Sequence, residues 1–367
     1  MAEVSGLKVG IAGAGSVAFG NAALLEQAGH RVMLWSPSGT RTAELAAGAP
    51  LVAEGAVEGT FHPAVAHSAE ELAIWADVIL IALPAYGHKA VFDALAPHLR
   101  SDQTVLISSH ASFGALYLSK LLSTLGVSPP IVAWGTTAVT ARQQDVTRVT
   151  VNTIRAKIDI ATIPERDSAT ASTVSRRLFG ERFVEREGLL AIALSNLNPQ
   201  NHMGIALGNM TRMERGEVWS QGQNVTPKVG RLLEALDRER LAIADRLGLS
   251  VRTIFEHFHL SFHVPVASTS DMNQEMHEAG RGGTGPASAD SRYVTEDVPY
   301  GLLPTVMLGD MTGQTAKLHQ AGIDIFSAMY GIDFAEANDL LPALDLQAMP
   351  LADLKKLSKQ GFPTASG

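Results

Sequence analysis

Cysteine is missing from all 367 residues, which excludes disulfides, thiolate nucleophiles and zinc or iron–sulfur sites built on sulfur. With no oxidative staple to form, a reducing cytoplasm is the expected compartment. An excess of positive charge is missing as well: 29 Lys and Arg stand against 37 Asp and Glu, a formal net charge of −8. That sign argues against a nucleic-acid or membrane-surface partner. Long apolar runs are lacking, and Val78 to Leu83 is far too short to span a bilayer. The opening MAEVSGLKVGIAGAG has no basic segment followed by a long apolar one. Its apolar run breaks at glycines, so it reads as a strand and not as a secretion signal. Internal repeats and low-complexity tracts are also lacking.

What is present is ordinary globular composition, 46% hydrophobic and 18% charged, in a chain longer than one core usually holds. Two domains are therefore expected, residues 1–187 and 188–367. In the first, short apolar runs alternate with helical periods: strands at Leu7 to Ala12, Arg31 to Trp35, Asp77 to Leu83, Thr104 to Ser108 and Ile131 to Trp134, with helices between. Alternation of that kind builds a parallel doubly wound sheet. Leu51 to Val65 reads as an inserted hairpin, and Val149 to Ile163 as an antiparallel finish. From Gly188 onward helical periods dominate. Gly188 to Met213 reads as one long helix kinked at Pro199, and Thr226-Pro227 as a helix start. The fold class is thus an α/β N-terminal Rossmann domain followed by an all-α C-terminal domain, with the tail after Gln360 frayed.

The sharpest motif is Gly13-Ala14-Gly15-Ser16-Val17-Ala18, a GxGxxG variant that follows a strand and opens a helix. Gly13 allows the tight turn, Gly15 lets backbone N–H groups reach a diphosphate, and Ala18 lets the helix approach the sheet. The end of the second strand selects between the two nicotinamide cofactors. No carboxylate is found there to bond a ribose 2′-hydroxyl. Ser36, Ser38, Thr40 and Arg41 stand instead, suited to a 2′-phosphate. NADP(H) is therefore preferred, with NAD(H) as the alternative. Leu83 and Pro84 end the third strand at the carboxyl edge of the sheet, where they either line a dinucleotide or simply turn the chain.

Candidate chemistry in the second half starts with Asn198 and His202, four residues apart and so on one helix face. Arg292-Tyr293-Val294-Thr295-Glu296-Asp297 follows a glycine-rich loop. A carboxylate there could orient an imidazole and stabilise its cation. Spacing alone does not join His202 to Asp297, and leaves open a core histidine and a pair of helix N-terminal charges. His257, His259 and His263 match no standard metal spacing and read as partly exposed helix residues, His259 and His263 on one face, so no metal is expected. Asp237 to Arg240 reads as a solvated helix face, and Met203, Met210 and Met213 as core or pocket lining.

Over nearly its whole length the chain resembles the octopine/nopaline dehydrogenase family, the opine dehydrogenases. The resemblance is carried by GAGSVA, ADVILIALPA, the Asn198–His202 spacing and RYVTEDVPYGL. It implies a Rossmann domain with a helical partner domain, often a homodimer. It implies reduction, by NAD(P)H, of the imine between an α-keto acid and an amino acid or amine. It also implies that His202 is the general acid/base, Asp297 its partner and Arg292 a substrate clamp. The family often carries a Glu-Thr pair after the fifth strand. Ala133-Trp134-Gly135-Thr136 stands here instead, which leaves the substrate open and places Trp134 to Thr137 where substrate contacts would fall. Two other readings fit the residues. One is a reductase of another small carbonyl or imine, of the ketopantoate or 3-hydroxy acid type, for which a lysine on the long helix is expected. The other is an NADP(H)-binding sensor without turnover.

Overall fold

The chain divides into two compact units. One runs to Ile192 and takes in the segment from Ala352 onward; the other spans Ala193–Leu351. The computed structural model describes residues 6–364. Residues 1–5 of the opening segment and 365–367 of the tail lie outside the described residues. The Phe362 amide, past the last helix, donates to Ser119 Oγ at 2.8 Å, so this part of the tail expected to fray is held.

Among the described residues the first unit carries twelve strands: β1 (Lys8–Ala12), β2 (Arg31–Trp35), β3 (Leu51–Gly55), β4 (Gly59–Phe61), β5 (Ala64–Val65), β6 (Val78–Ile81), β7 (Thr104–Ile107), β8 (Ile131–Trp134), β9 (Val139–Asp145), β10 (Arg148–Ile154), β11 (Ile158–Ile163) and β12 (Phe183–Glu185). Eight of them form one sheet in the order β12-β11-β8-β7-β6-β1-β2-β5, parallel from β8 through β5. β6, β7 and β8 are buried at every position, which is why they read as unbroken apolar runs rather than alternating ones. β11 runs antiparallel to β8, as expected of the finish, but β10 does not join it.

Instead β10 and β9 combine with the β3–β4 hairpin in a second sheet, ordered β4-β3-β10-β9. This sheet lies on the Ser16–Gln27 helix. A side chain at Gly20 would come within 3.1 Å of Ala141 and Val139. The sequence signal missed this pairing because β3 and β10 are almost a hundred residues apart, and register between distant strands leaves no local trace.

Among the described residues the second unit holds helices, tight turns and one isolated bridge between Ser220 and Thr284. The helix expected from Gly188 to Met213 is two helices, Gly188–Ser195 and Asn198–Glu214. Pro199 sits in the first turn of the second, where an amide hydrogen has no partner within the helix, so the proline starts a helix rather than kinking one. The irregularity falls at Asn209 (φ −135°, ψ 16°), whose side chain donates to the Ile205 carbonyl at 3.0 Å.

A second correction concerns Asp237 and Arg240, expected to be solvated. Both are buried, at 2% exposure. Asp237 Oδ1 accepts from Arg240 Nη2 at 2.7 Å and from Gln200 Nε2 at 2.9 Å, while its Oδ2 accepts from the Ile254 amide at 2.9 Å. Arg240 also donates to the Leu194 and Arg252 carbonyls. Asp237 and Arg240 lie on the face of the long Pro227–Leu247 helix that also buries Leu233, Leu236, Ile243 and Leu247, so these two charges have each other and backbone rather than water, while Arg238 on the opposite face is exposed. Met203, Met210 and Met213 are buried, as expected. His263 does not continue the helix of His259; it ends it in the left-handed region, at φ 56°.

Candidate active site

In the first unit the glycine motif occupies the turn between β1 and the Ser16–Gln27 helix. Its two glycines answer different demands. Gly13 has φ +139°, and a Cβ there would lie 2.1 Å from the Ala82 carbonyl oxygen at the end of β6. The fold itself requires glycine at that position. Gly15 has ordinary extended angles (φ −103°, ψ −176°), and a Cβ there would meet only Arg41 Nη1, at 3.9 Å. Space is therefore kept open over the first amides of the helix, with one guanidinium at its edge.

That arrangement fits a dinucleotide diphosphate held on backbone N–H groups, with Arg41 beside it for further phosphate charge. Ser36 is half-buried, and Ser38, Thr40 and Arg41 are exposed. The Thr40 hydroxyl donates to the Ser38 carbonyl at 3.4 Å. Val17 is half-buried and Ala18 is buried against the sheet. The Ser16 hydroxyl accepts from the Gln143 amide of β9 at 2.9 Å. This bond ties the helix start to the second sheet and, because the hydroxyl accepts in it, leaves Ser16 both its O–H and its backbone N–H as donors for a ligand.

Leu83 and Pro84 are half-buried at the carboxyl end of β6. His88 lies beneath that turn, fully buried, and its Nε2–H donates to the Leu83 carbonyl at 3.0 Å. Nearby, the segment after β7 takes left-handed angles at Ser109, Ser112 and Phe113 (φ 66°, 45° and 56°) and buries His110. Among the described residues both His110 ring nitrogens and His88 Nδ1 lack hydrogen-bond partners. Burial pushes the His88 imidazole down to about 4. Burial, with the charge His88 would carry, pushes His110 down to about 3. Trp134 is a correction: its side chain is fully buried against Phe179 and Phe183, so it belongs to the core and makes no substrate contact.

In the second unit the structure brings His202 and Asp297 together across 95 residues of sequence. His202 Nδ1–H donates to Asp297 Oδ2 at 2.7 Å, with both side chains less than one-fifth exposed. The backbone permits this because Gly301, in the π-helical turn Val298–Leu302 just after Asp297, lies against Pro199. A Cβ at Gly301 would sit 2.2 Å from Pro199 Cγ. The turn's other side is pinned by Tyr300, whose hydroxyl donates to Asp339 Oδ1 at 3.0 Å, and by Asn338, which donates to the Pro299 carbonyl at 2.8 Å.

Among the described residues His202 Nε2 has no hydrogen-bond partner. The ring is therefore oriented by a carboxylate at one nitrogen and keeps the other for proton transfer. Asn198 is exposed four residues before His202 on the same helix. The Arg292 guanidinium, also exposed, is paired through Nε with Glu296. Sequence reasoning missed Tyr293, whose ring stacks on His202 at 3.6 Å between centroids and 8° between planes. The available signal was spacing: Tyr293 and Asp297 stand four apart, as Asn198 and His202 do, and so turn to one face. Among the described residues there is no cluster of three or more metal-binding side chains, and no helix is long and apolar enough to cross a membrane.

Residues 185–330 match the family model for the NAD/NADP octopine/nopaline dehydrogenase α-helical domain. Residues 8–112 match that for coenzyme F420-dependent NADP oxidoreductases. The chain is 30% identical over 350 residues to an opine dehydrogenase of Arthrobacter sp. (strain 1C), covering 94% of this chain and 97% of that protein. Its fold is similar to that of octopine dehydrogenase solved with NADH and L-arginine, with a TM-score of 0.76, 17% identity, and coverage of 96% of this chain and 98% of that one. It is also similar to yersinopine dehydrogenase solved with NADP+, with a TM-score of 0.72, 16% identity, and coverage of 94% and 98%.

Proposed function

The chain belongs to the opine dehydrogenase family, and from that premise we propose that it reduces the imine formed between an α-keto acid and an amino acid or amine, using NADP(H) in preference to NAD(H). It is an NAD(P)H-dependent oxidoreductase acting on CH–NH bonds. Condensation adds the amine to the keto carbon, loss of water leaves C=N, and reduction gives a secondary amine. Bound NADPH supplies the hydride for the last step. His202 supplies and removes the protons: Nε2 protonates the departing hydroxyl as C=N forms, and the imine nitrogen carries the proton needed for reduction. Asp297 keeps the proton on Nδ1 and stabilises the positive ring. Asn198 and Arg292 hold the substrate's polar groups, Arg292 exchanging Glu296 for a carboxylate. The enzyme acts on small molecules, as a cytoplasmic homodimer.

The observation that supports this reading is the 2.7 Å bond between His202 Nδ1 and Asp297 Oδ2. The test is loss of NADPH absorbance with pyruvate and a panel of amino acids and amines, repeated on His202→Ala. Turnover is expected to fall by ~10²–10⁴-fold with NADPH affinity nearly intact. Unchanged turnover removes His202 from the chemistry.

A further inference from the structure

A hydrogen bond at Nδ1 leaves an imidazole one freedom: the ring can still swing about the N–H···O axis and carry Nε2 with it. Tyr293 removes that freedom. Its ring lies face to face on His202, 3.6 Å between centroids and within 8° of parallel. The Tyr293 ring is in turn fixed at its far end, where its hydroxyl donates to Gln221 Oε1 at 2.5 Å. Gln221 is tied by its own amide to the Gly283 carbonyl at 3.1 Å, next to the Ser220–Thr284 bridge. The clamp thus runs from the glycine-rich loop through Gln221 and Tyr293 to the imidazole plane.

We infer that Tyr293, anchored by Gln221, is a positioning residue that fixes the plane of the His202 ring and with it the direction of Nε2. This rests on the reading of His202 as the general acid/base. Tyr293 is not itself an acid in the reaction. Its hydroxyl hydrogen is engaged by Gln221, and burial together with the negative charge of Asp297 pushes the phenol up to about 12. The glycine-rich loop between Arg281 and Arg292 carries no catalytic side chain, yet it sets where the anchor of the clamp stands. Misdirecting a proton-transfer atom by about 1 Å costs on the order of 10²-fold in rate, because reaction requires an aligned approach.

The experiment uses the full-length protein and its Tyr293→Leu, Tyr293→Phe, Gln221→Leu and His202→Ala variants, with kcat and KM measured per folded enzyme and the His202 ring protons followed by NMR. His202→Ala identifies the resonances. Tyr293→Leu is expected to lower kcat by ~10–100-fold with KM for NADPH and keto acid nearly unchanged. The His202 signals should move downfield as they leave the shielding face of the tyrosine. Tyr293→Phe keeps the stacked ring but, like Gln221→Leu, loses the anchoring hydrogen bond, so it is expected to lower kcat only several-fold and to shift the signals only part of the way, well short of Tyr293→Leu. Gln221→Leu, which remains informative if Tyr293→Leu does not fold, is expected to lower kcat several-fold and to shift the same signals part of the way.

Wild-type kcat in Tyr293→Leu, or His202 signals that do not respond to Tyr293→Leu or Gln221→Leu, overturns the positioning role. Turnover absent in His202→Ala but intact in Tyr293→Leu overturns that role alone. Turnover that persists in His202→Ala removes the acid/base reading and the clamp with it.

Discussion

The two buried histidines of the first unit should make the protein acid-sensitive by an amount the structure sets. An imidazole in the unfolded chain takes up its proton below about 6.5. In the fold, burial holds His88 down to about 4 and His110 down to about 3. Both folded values are depressed, so the unfolded chain binds more protons throughout that window. Stability is intact above about 6.5 and falls as the pH drops toward the folded values. At about 1.36 kcal/mol per pH unit and group, each histidine costs about 2 kcal/mol at pH 5, and the pair about 4 kcal/mol. Against typical stabilities of ~5–15 kcal/mol that is a large share.

His110→Phe isolates one half of the effect. The ring's nitrogens have no partners to lose among the described residues, and Phe113 already packs at its edge, so the variant should be no less stable at pH 7.5. Between pH 7.5 and 5 it should lose about 2 kcal/mol less than the wild type. His30, also held low by burial, contributes equally to both proteins and cancels in the difference. Urea unfolding followed by tryptophan fluorescence reads mainly the first unit, which holds Trp35, Trp75 and Trp134, three of the four tryptophans; the fourth, Trp219, lies in the second unit and is replaced by Phe in both proteins compared. Equal acid loss in the two proteins would refute the assignment of buried neutral rings.

Arg41→Ala should weaken NADPH by ~10–100-fold, the worth of a charge-assisted contact, while NADH binding changes little; equal losses in titrations with the two cofactors would show that Arg41 does not read the 2′-phosphate. Gly13→Ala and Gly15→Ala should fail differently. The first meets the Ala82 carbonyl and should lower the melting temperature sharply. The second meets only the mobile end of Arg41, so it should melt as the wild type does yet lose dinucleotide binding in a titration. Asp237→Ala should cost about 3–5 kcal/mol in urea unfolding, because it strands a buried guanidinium and removes the acceptor of Gln200 and the Ile254 amide.

What was legible in the sequence is what depends on neighbours in the chain. The turn from Gly13 to Ala18 and the buried parallel strands write their pattern locally, and the structure returns both. The convergence of His202 with Asp297 was not in the spacing; it came from family resemblance, and the geometry that produces it depends on Gly301 lying against Pro199. The errors have the same origin. Asp237 and Arg240 look solvated as part of a run of four charges, although their spacing sets them on the stripe of Leu233, Leu236, Ile243 and Leu247 that is buried. Pro199 reads as a kink when the two-residue break before it is invisible. Tyr293 is silent because stacking leaves no periodicity, and only its offset of four from Asp297 hints that it shares a face.

The closing segment of the polypeptide belongs to the unit that begins it. Lys359 pairs with Glu187, Gly188 lies against Ser358, and the amide of Phe362 is held by Ser119. During synthesis the 159 residues of Ala193–Leu351 therefore emerge before the dinucleotide-binding part receives its last helix. At about 5–20 residues per second that is a delay of roughly 8–30 s, during which Glu187 and Ser119 stand without these partners. A ribosome that stops between Ile192 and Ala352 releases a complete glycine motif on an incomplete scaffold.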